Sequence, residues 1–522
     1  MDSDIQDRFE SQPLLADDER DPEDIASPRD GGPRRNWAFA VRLQPRSPKT
    51  IVLLLAVLIF VVATSGMMIM VPIFRLVEDA ACHDYYKKDP SEKIDERLCK
   101  VDEVQSRIAY LGGWAAMLNS VVGLIAVLPY GVLADKIGRK PTFILSYIGI
   151  ILAFGWGPFM LGVVRTTNLY LVMLGSLFFF IGGGVPVAMN CLMAMTADIS
   201  VEAEKSTNFL YLSFGAVAGS LVGPAIAGIL METVSPWLPI LCVFAVTPLV
   251  FCILLFIPET LAIRIPDAPD EEPDPRSKMS KKPFGEALRE LRVSVTLLKN
   301  INILLSMVTS FIQPALFVGY STTLSQYVSK YFGWTLAQTS YLLGPPLGIL
   351  HLVIILLIPW ISGLLTSTSG RFQLSIFSKD LLLTKASLFF MIVGGLMEGV
   401  SQEVALFLVG LTVGNFGSAH GPLLRAVATS YVEPDQTSRL YSLMTMVETS
   451  GAVVGGPVLA KCFSVGLEKR GLWRGLPWFY ITGLVCLAFT ALLFVRAPKQ
   501  KPPTSDGEET GDLGYQSAEE QP

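Results

Sequence analysis

The chain has 522 residues, 51% of them hydrophobic and 17% charged, with a net charge of −5 and a mean hydropathy of +0.48. A soluble globule of this length needs a more charged surface, and apolar runs of about 20 residues, enough for a helix to cross a bilayer, recur along the chain. These features exclude a soluble globular protein and read as an all-α, multi-pass membrane protein, with no nucleic-acid partner and no cofactor expected.

Residues 1–30 are acidic and aperiodic, so 1–49 reads as a disordered tail. Within it "ESQPLL" resembles the acidic dileucine signal that sorting adaptors read, through Glu10, Leu14 and Leu15. A vacuolar or lysosomal membrane therefore stands beside the plasma membrane as an option. Arg34, Arg35, Arg42, Arg46 and Lys49 crowd up to the first apolar run, and positive charge there keeps that end cytosolic. The run itself starts at Thr50 and is followed by many others, which makes it a span and not a cleaved signal.

Twelve spans are predicted, at 50–77, 105–132, 141–163, 169–197, 207–231, 236–257, 301–328, 338–361, 382–400, 404–430, 438–464 and 474–496. An even number returns the chain to its starting side, placing both termini in the cytosol. Arg75, Glu78 and Asp79, at the outer end of the first span, read as snorkelling charges. Cys82 and Cys99 share the polar loop that follows, on the oxidising side, where a disulfide is expected. The other five cysteines lie in or beside apolar runs, and no Cys/His spacing suits a metal. Residues 258–300 are Pro-rich and acidic, then basic and amphipathic: a cytosolic linker with a surface helix. It divides the spans into six-helix bundles at 50–257 and 301–496, and 497–522 reads as a second disordered tail.

An internal repeat supports that division. "VEAEKSTNFLY" (201–211) and "VEPDQTSRLYS" (432–442) occupy equivalent loops, each followed by a Gly-rich span: "GAVAGSLVGPAIAG" (215–228) and "SGAVVGGPVLA" (450–460). A duplicated six-helix half leaves this trace.

Between the second and third spans stands "GVLADKIGRK" (131–140). Gly131 and Gly138 permit a tight turn, Asp135 offers a charge for a helix N-terminus, and Arg139 offers a forked donor for a carboxylate. With the twelve spans and central linker, it resembles the loop signature of the major facilitator superfamily, over roughly residues 50–496. The resemblance implies two pseudo-symmetric six-helix bundles that rock about a midplane site. It also implies that Asp135 faces the start of helix eleven, Thr437 and Ser438, and that Arg139 pairs with Asp198, forming a conformational latch. The second half departs from the pattern: "SGLLTSTSGRF" (362–372) lacks the acid.

Gly215, Gly219 and Gly223, spaced by four before Pro224 and Gly228, make a close-packing face. They also resemble the helix-five motif of proton-driven antiporters of the superfamily. The helix-four arginine associated with proton coupling in many of its drug exporters is missing, Phe178 standing in its place.

Ionisable residues inside spans are costly and mark candidate sites. His420, Arg425 and Glu448 lie in spans ten and eleven, and matched depths allow a His420–Glu448 pair, with Arg425 able to reach the same acid. The cluster reads either as a proton-coupling or substrate site or as a structural lock. His351 reads as an isolated core histidine. Asn190, Gln313, Tyr320 and Asn415 are uncharged candidates for a cavity lining. The expected function is a monomeric secondary transporter of a small organic solute, coupled to protons, surrounded by membrane lipid and leaning to export. Proton-coupled uptake and a non-transporting sensor are the alternatives; a membrane enzyme finds no motif.

Overall fold

A computed structural model of the chain describes residues 44–45, 47–89, 92, 94–164, 168–200, 202–260, 296–366, 374–432, 437–469 and 471–498. Glu10, Leu14 and Leu15, most of both tails, and the linker helix expected within 261–295 lie outside the described residues.

The first half contains α1 (Pro48–Tyr86), α2 (Asp102–Ile137), α3 (Arg139–Val164), α4 (Leu169–Ile199), α5 (Glu202–Thr233) and α6 (Trp237–Phe256). The second contains α7 (Ile301–Phe332), α8 (Leu336–Thr366), α9 (Ile376–Val400), α10 (Val404–Thr429), α11 (Thr437–Lys469) and α12 (Gly471–Leu493). These twelve membrane helices form two six-helix bundles. Buried core residues of the first, such as Leu55, Phe143, Leu192 and Leu254, are drawn from 51–257. Those of the second, such as Tyr327, Phe407, Phe463 and Trp478, come almost wholly from 303–495.

Helix α1 is longer than the predicted span 50–77. The mixed sequence after Leu76 stays helical until Lys87, whose left-handed φ of 54° and N–H bond to His83 O close the last turn. Among the described residues, α3 ends in a π-turn and α12 begins with a 3-10 turn, and three other helices depart from regular winding at greater length or depth. Helix α4 begins as a 3-10 coil over Leu169–Phe180 and restarts at Gly184, after Gly182 and Gly183 at φ of 84° and 81°. Helix α10 stops at Asn415 and restarts at His420. These breaks fall in equivalent helices of the two halves, in "GGGVP" and "SAHGP", and paired interruptions of this kind point to a binding site. Helix α7 contains a π-turn over Gly319–Thr323.

The glycine stripe of α5 lies on α1. A Cβ placed on Gly215, Gly219 or Gly223 would sit 2.5, 2.7 and 2.6 Å from the carbonyl oxygens of Ala56, Phe60 and Thr64, so backbone meets backbone at every turn. Gly228 and Pro224 turn instead to the other half. Gly228 meets Ala337, and Ser340 Oγ donates to Pro224 O at 2.7 Å.

Candidate functional site

Between the halves lies a cavity of about 440 Å³. Helices α7, α8 and α10 supply most of its wall, and Met67, Met70, Val71, Ser220 and Pro224 complete it from the first half. The wall is largely apolar, and among the described residues no Asp, Glu, Lys or Arg lines it. Its polar groups include Gln313, Tyr320, Asn415 and His420. The break in α10 explains the last two, because it turns residues 415–420 out of regular winding at cavity depth. Ser321 and Ser418 also line the cavity, and their buried hydroxyls have no partner among the described residues.

The candidate residues separate into two groups. His420 is buried, with Nδ1 2.8 Å from Gly417 O and Nε2 2.5 Å from Gln313 Oε1. Both ring nitrogens thus face oxygens, and a neutral ring, which donates once, fits with the Gln313 amide turned over to donate to Nε2. Glu448 pairs with Arg425 at 3.3 Å, on the more exposed side of the bundle. The His420–Glu448 pair allowed by matched depth does not form: the α10 break rotates His420 toward α7. Neither Arg425 nor Glu448 lines the cavity, and Asn190 is exposed on α4 away from the lining. His351 is satisfied by a hydrogen bond to Asn415 but lines the cavity, which corrects its placement as an isolated core residue.

Glu398, absent from the sequence-derived candidates, is fully buried on α9. The Tyr320 hydroxyl stands 3.3 and 3.2 Å from its two oxygens. Signals for it existed: "GGLMEG" in α9 and the pair Gly410 and Gly414, four apart in α10, are small-residue segments, and Gly394 packs on Gly410 and Gly414 one turn before Glu398.

At one end of the bundle, Gly138 separates α2 from α3 with a φ of 110°. Arg139 Nε lies 3.6 Å from Asp198 Oδ2. Glu259, after α6, receives the backbone N–H groups of Arg139 and Lys140 at 2.9 and 3.1 Å, an anion on the first turn of α3. The Asp135 side chain and those of Thr437 and Ser438 lie outside the described residues.

The opposite end carries the Cys82–Cys99 disulfide and a charged cluster. Glu78 is fully buried and accepts from Lys100 Nζ and Gln105 Nε2, each at 2.6 Å, and from Arg75 at 3.4 Å. Arg75 also meets Glu96 at 3.2 Å. Arg75 and Glu78 are enclosed and mutually paired, which corrects their reading as snorkelling charges, while Asp79 keeps a partly exposed side chain. The cluster reaches across to the second half. Leu336 N donates to Glu96 at 2.9 Å, Gln326 Nε2 to Gln105 O at 2.7 Å, and Lys330 pairs with Asp102 at 2.6 Å. Ser106 bonds Ser464, and Gly113 abuts Gly456 and Ala460. Contacts between halves cluster at this disulfide end, whereas Tyr211, Phe214 and Tyr441 are exposed toward the other.

The family model of the Major Facilitator Superfamily matches residues 108–456. The MFS efflux pump atnC of Emericella nidulans is 28% identical over 451 residues, covering 82% of this chain and 84% of that protein. The MFS-type transporter aprT of Aspergillus flavus is 26% identical over 479 residues, 90% and 92% of the two chains. Among solved structures, a D-xylose–proton symporter superposes with a TM-score of 0.57 at 14% identity, over 88% of this chain and 98% of that one.

Proposed function

The chain belongs to the major facilitator superfamily and is a membrane transporter; on that premise we propose that it exports a small organic solute by alternating access, in exchange for protons. The observation that carries this reading is the cavity between the halves. Apolar walls, uncharged dipoles and two hydroxyls without partners suit a largely apolar, neutral molecule bearing a few hydrogen-bonding groups. Positive charge beside α1 supports a cytosolic Gly138 end. The disulfide end is then the outer side, and the described state is shut outward. The match to a protein named an efflux pump supports export, as does the α5 motif.

The test is the chain reconstituted in vesicles under an imposed pH gradient, with a panel of neutral organic solutes followed by mass spectrometry. Antiport concentrates a solute in vesicles with an acidic lumen. Concentration in alkaline-lumen vesicles instead assigns uptake by symport, and binding without movement overturns transport.

A further inference from the structure

We propose that Glu398 is the group that takes up and releases the transported proton, and that Tyr320 is its connection to the solute cavity. This rests on the proton-coupled reading above.

Three observations converge. Glu398 is fully buried, and no basic side chain contacts it among the described residues. A carboxylate inside a span with no countercharge is a functional site by default, because burial without a partner costs stability that packing alone does not recover. The space around it is shaped for its side chain: a Cβ on Gly410 would lie 3.1 Å from Glu398 Cγ, and one on Gly414 would lie 3.6 Å from Oε1. The third observation is Tyr320. Its hydroxyl spans both carboxylate oxygens while its side chain lines the cavity, and it sits on the π-turn of α7. Such turns recur at functional sites because they redirect one side chain without breaking the helix.

The surroundings leave the proton few other places. From α7, Tyr320 and Tyr327 are the titratable groups within reach of Glu398. Helix α10 offers glycine backbone at Gly410 and Gly414. Helix α12 offers Thr482 and Phe479 against the neighbouring Gly395 and Gly399, and Trp478, whose ring is 5.5 Å from that of Tyr320. The turn at the start of α12 brings Gly475 onto Gly399, and its Arg474 lies over the Tyr331 ring, 5.6 Å from the centroid. Helix α8 brings His351, which is held by Asn415. Nothing in this ring ion-pairs Glu398. A solute hydrogen-bonding to the Tyr320 hydroxyl changes the company of the carboxyl, and the carboxyl's protonation changes the hydrogen-bonding capacity of Tyr320 in the cavity. The two ligands are thereby coupled through one phenol.

The test uses the full chain in lipid vesicles and the proton itself as the probe. Infrared difference spectra between about pH 5 and about pH 9 report buried carboxyls that gain a proton. The wild type is expected to show a protonated-carboxyl band that disappears in Glu398→Gln, moves in Tyr320→Phe and persists in Glu448→Gln. A band unchanged in Glu398→Gln, or none in the wild type, overturns the assignment. In a second arm, the solute concentrated in the vesicle screen is followed with and without the gradient. Glu398→Gln is expected to keep downhill movement and lose at least about tenfold of the gradient's effect. A wild-type gradient response in that variant overturns the proposal while leaving coupled transport standing. A wild type indifferent to the gradient overturns the coupling reading and the transport role of this proton, and the infrared band still reports whether Glu398 takes one up. Glu398→Gln is nearly isosteric, and its unfolding midpoint checks that it folds.

Discussion

Two carboxylates in this protein are equally buried and differently accompanied. Glu78, at the disulfide end of α1, and Glu398, near the corresponding end of α9, both show 0% exposure. Glu78 is surrounded by Lys100, Arg75 and Gln105; Glu398 has a phenol. The first is held by fixed partners and ties three parts of the chain together. The second has no such partner and can change state without tearing an ion pair apart. Burial alone therefore does not identify a working acid; burial with an unanswered charge does.

The sharpest way to break this contrast is to remove the countercharge. Lys100→Ala leaves Glu78 buried beside a more distant Arg75, and losing one partner of a buried pair costs about 3–5 kcal/mol. A large drop in the thermal unfolding midpoint is expected, whereas Glu398→Gln leaves that midpoint nearly unchanged. Equal drops would dissolve the distinction. Next comes the disulfide that holds the Lys100 loop. Cys82 and Cys99 are 17 residues apart, and Cys82→Ser releases a loop worth about 3 kcal/mol. Because the same loop carries Glu96 to Leu336, labelling of the outer seam by a thiol reagent at an introduced cysteine should also rise. The smallest effect is expected of Glu448→Gln. The Arg425 and Glu448 side chains are 53% and 22% exposed, so their pair contributes about 0–1 kcal/mol. A midpoint within a degree or two of wild type checks it.

How much of this was readable beforehand depended on distance along the chain. Twelve apolar runs announce twelve helices because a span is a local property, and Cys82 and Cys99 are legible because one short loop contains both. Glu398 was invisible for the opposite reason. It lies two residues from the end of its predicted span and reads as a boundary charge. What buries it comes from Gly410 and Gly414 in the next helix and from Tyr320, 78 residues upstream. Glu78 was misread in the same way, since the lysine that answers it folds back from beyond the helix. His420 and Glu448 share a depth, but hydropathy gives depth and not azimuth, and the α10 break turned one away from the other. The loop "GVLADKIGRK" is legible as a motif, with Arg139 beside Asp198; its anchoring acid, Glu259, stands 120 residues on and carries no local sign of that role.

The cavity wall has a lopsided parentage, with five side chains from the first half and the rest from the second. The cargo hold is thus drawn mainly from one of two duplicated halves. Both halves are framed by glycines set against backbone, α5 on α1 in the first and Gly394 on Gly414 and Gly451 on Phe311 in the second, and these contacts tolerate little change. The half bearing α7, α8 and α10 can diversify by single side-chain exchanges around an unaltered frame. Exchanges at lining positions such as Gln313, Phe317, Leu343 and Leu411 can therefore change what the cavity accepts without touching that frame.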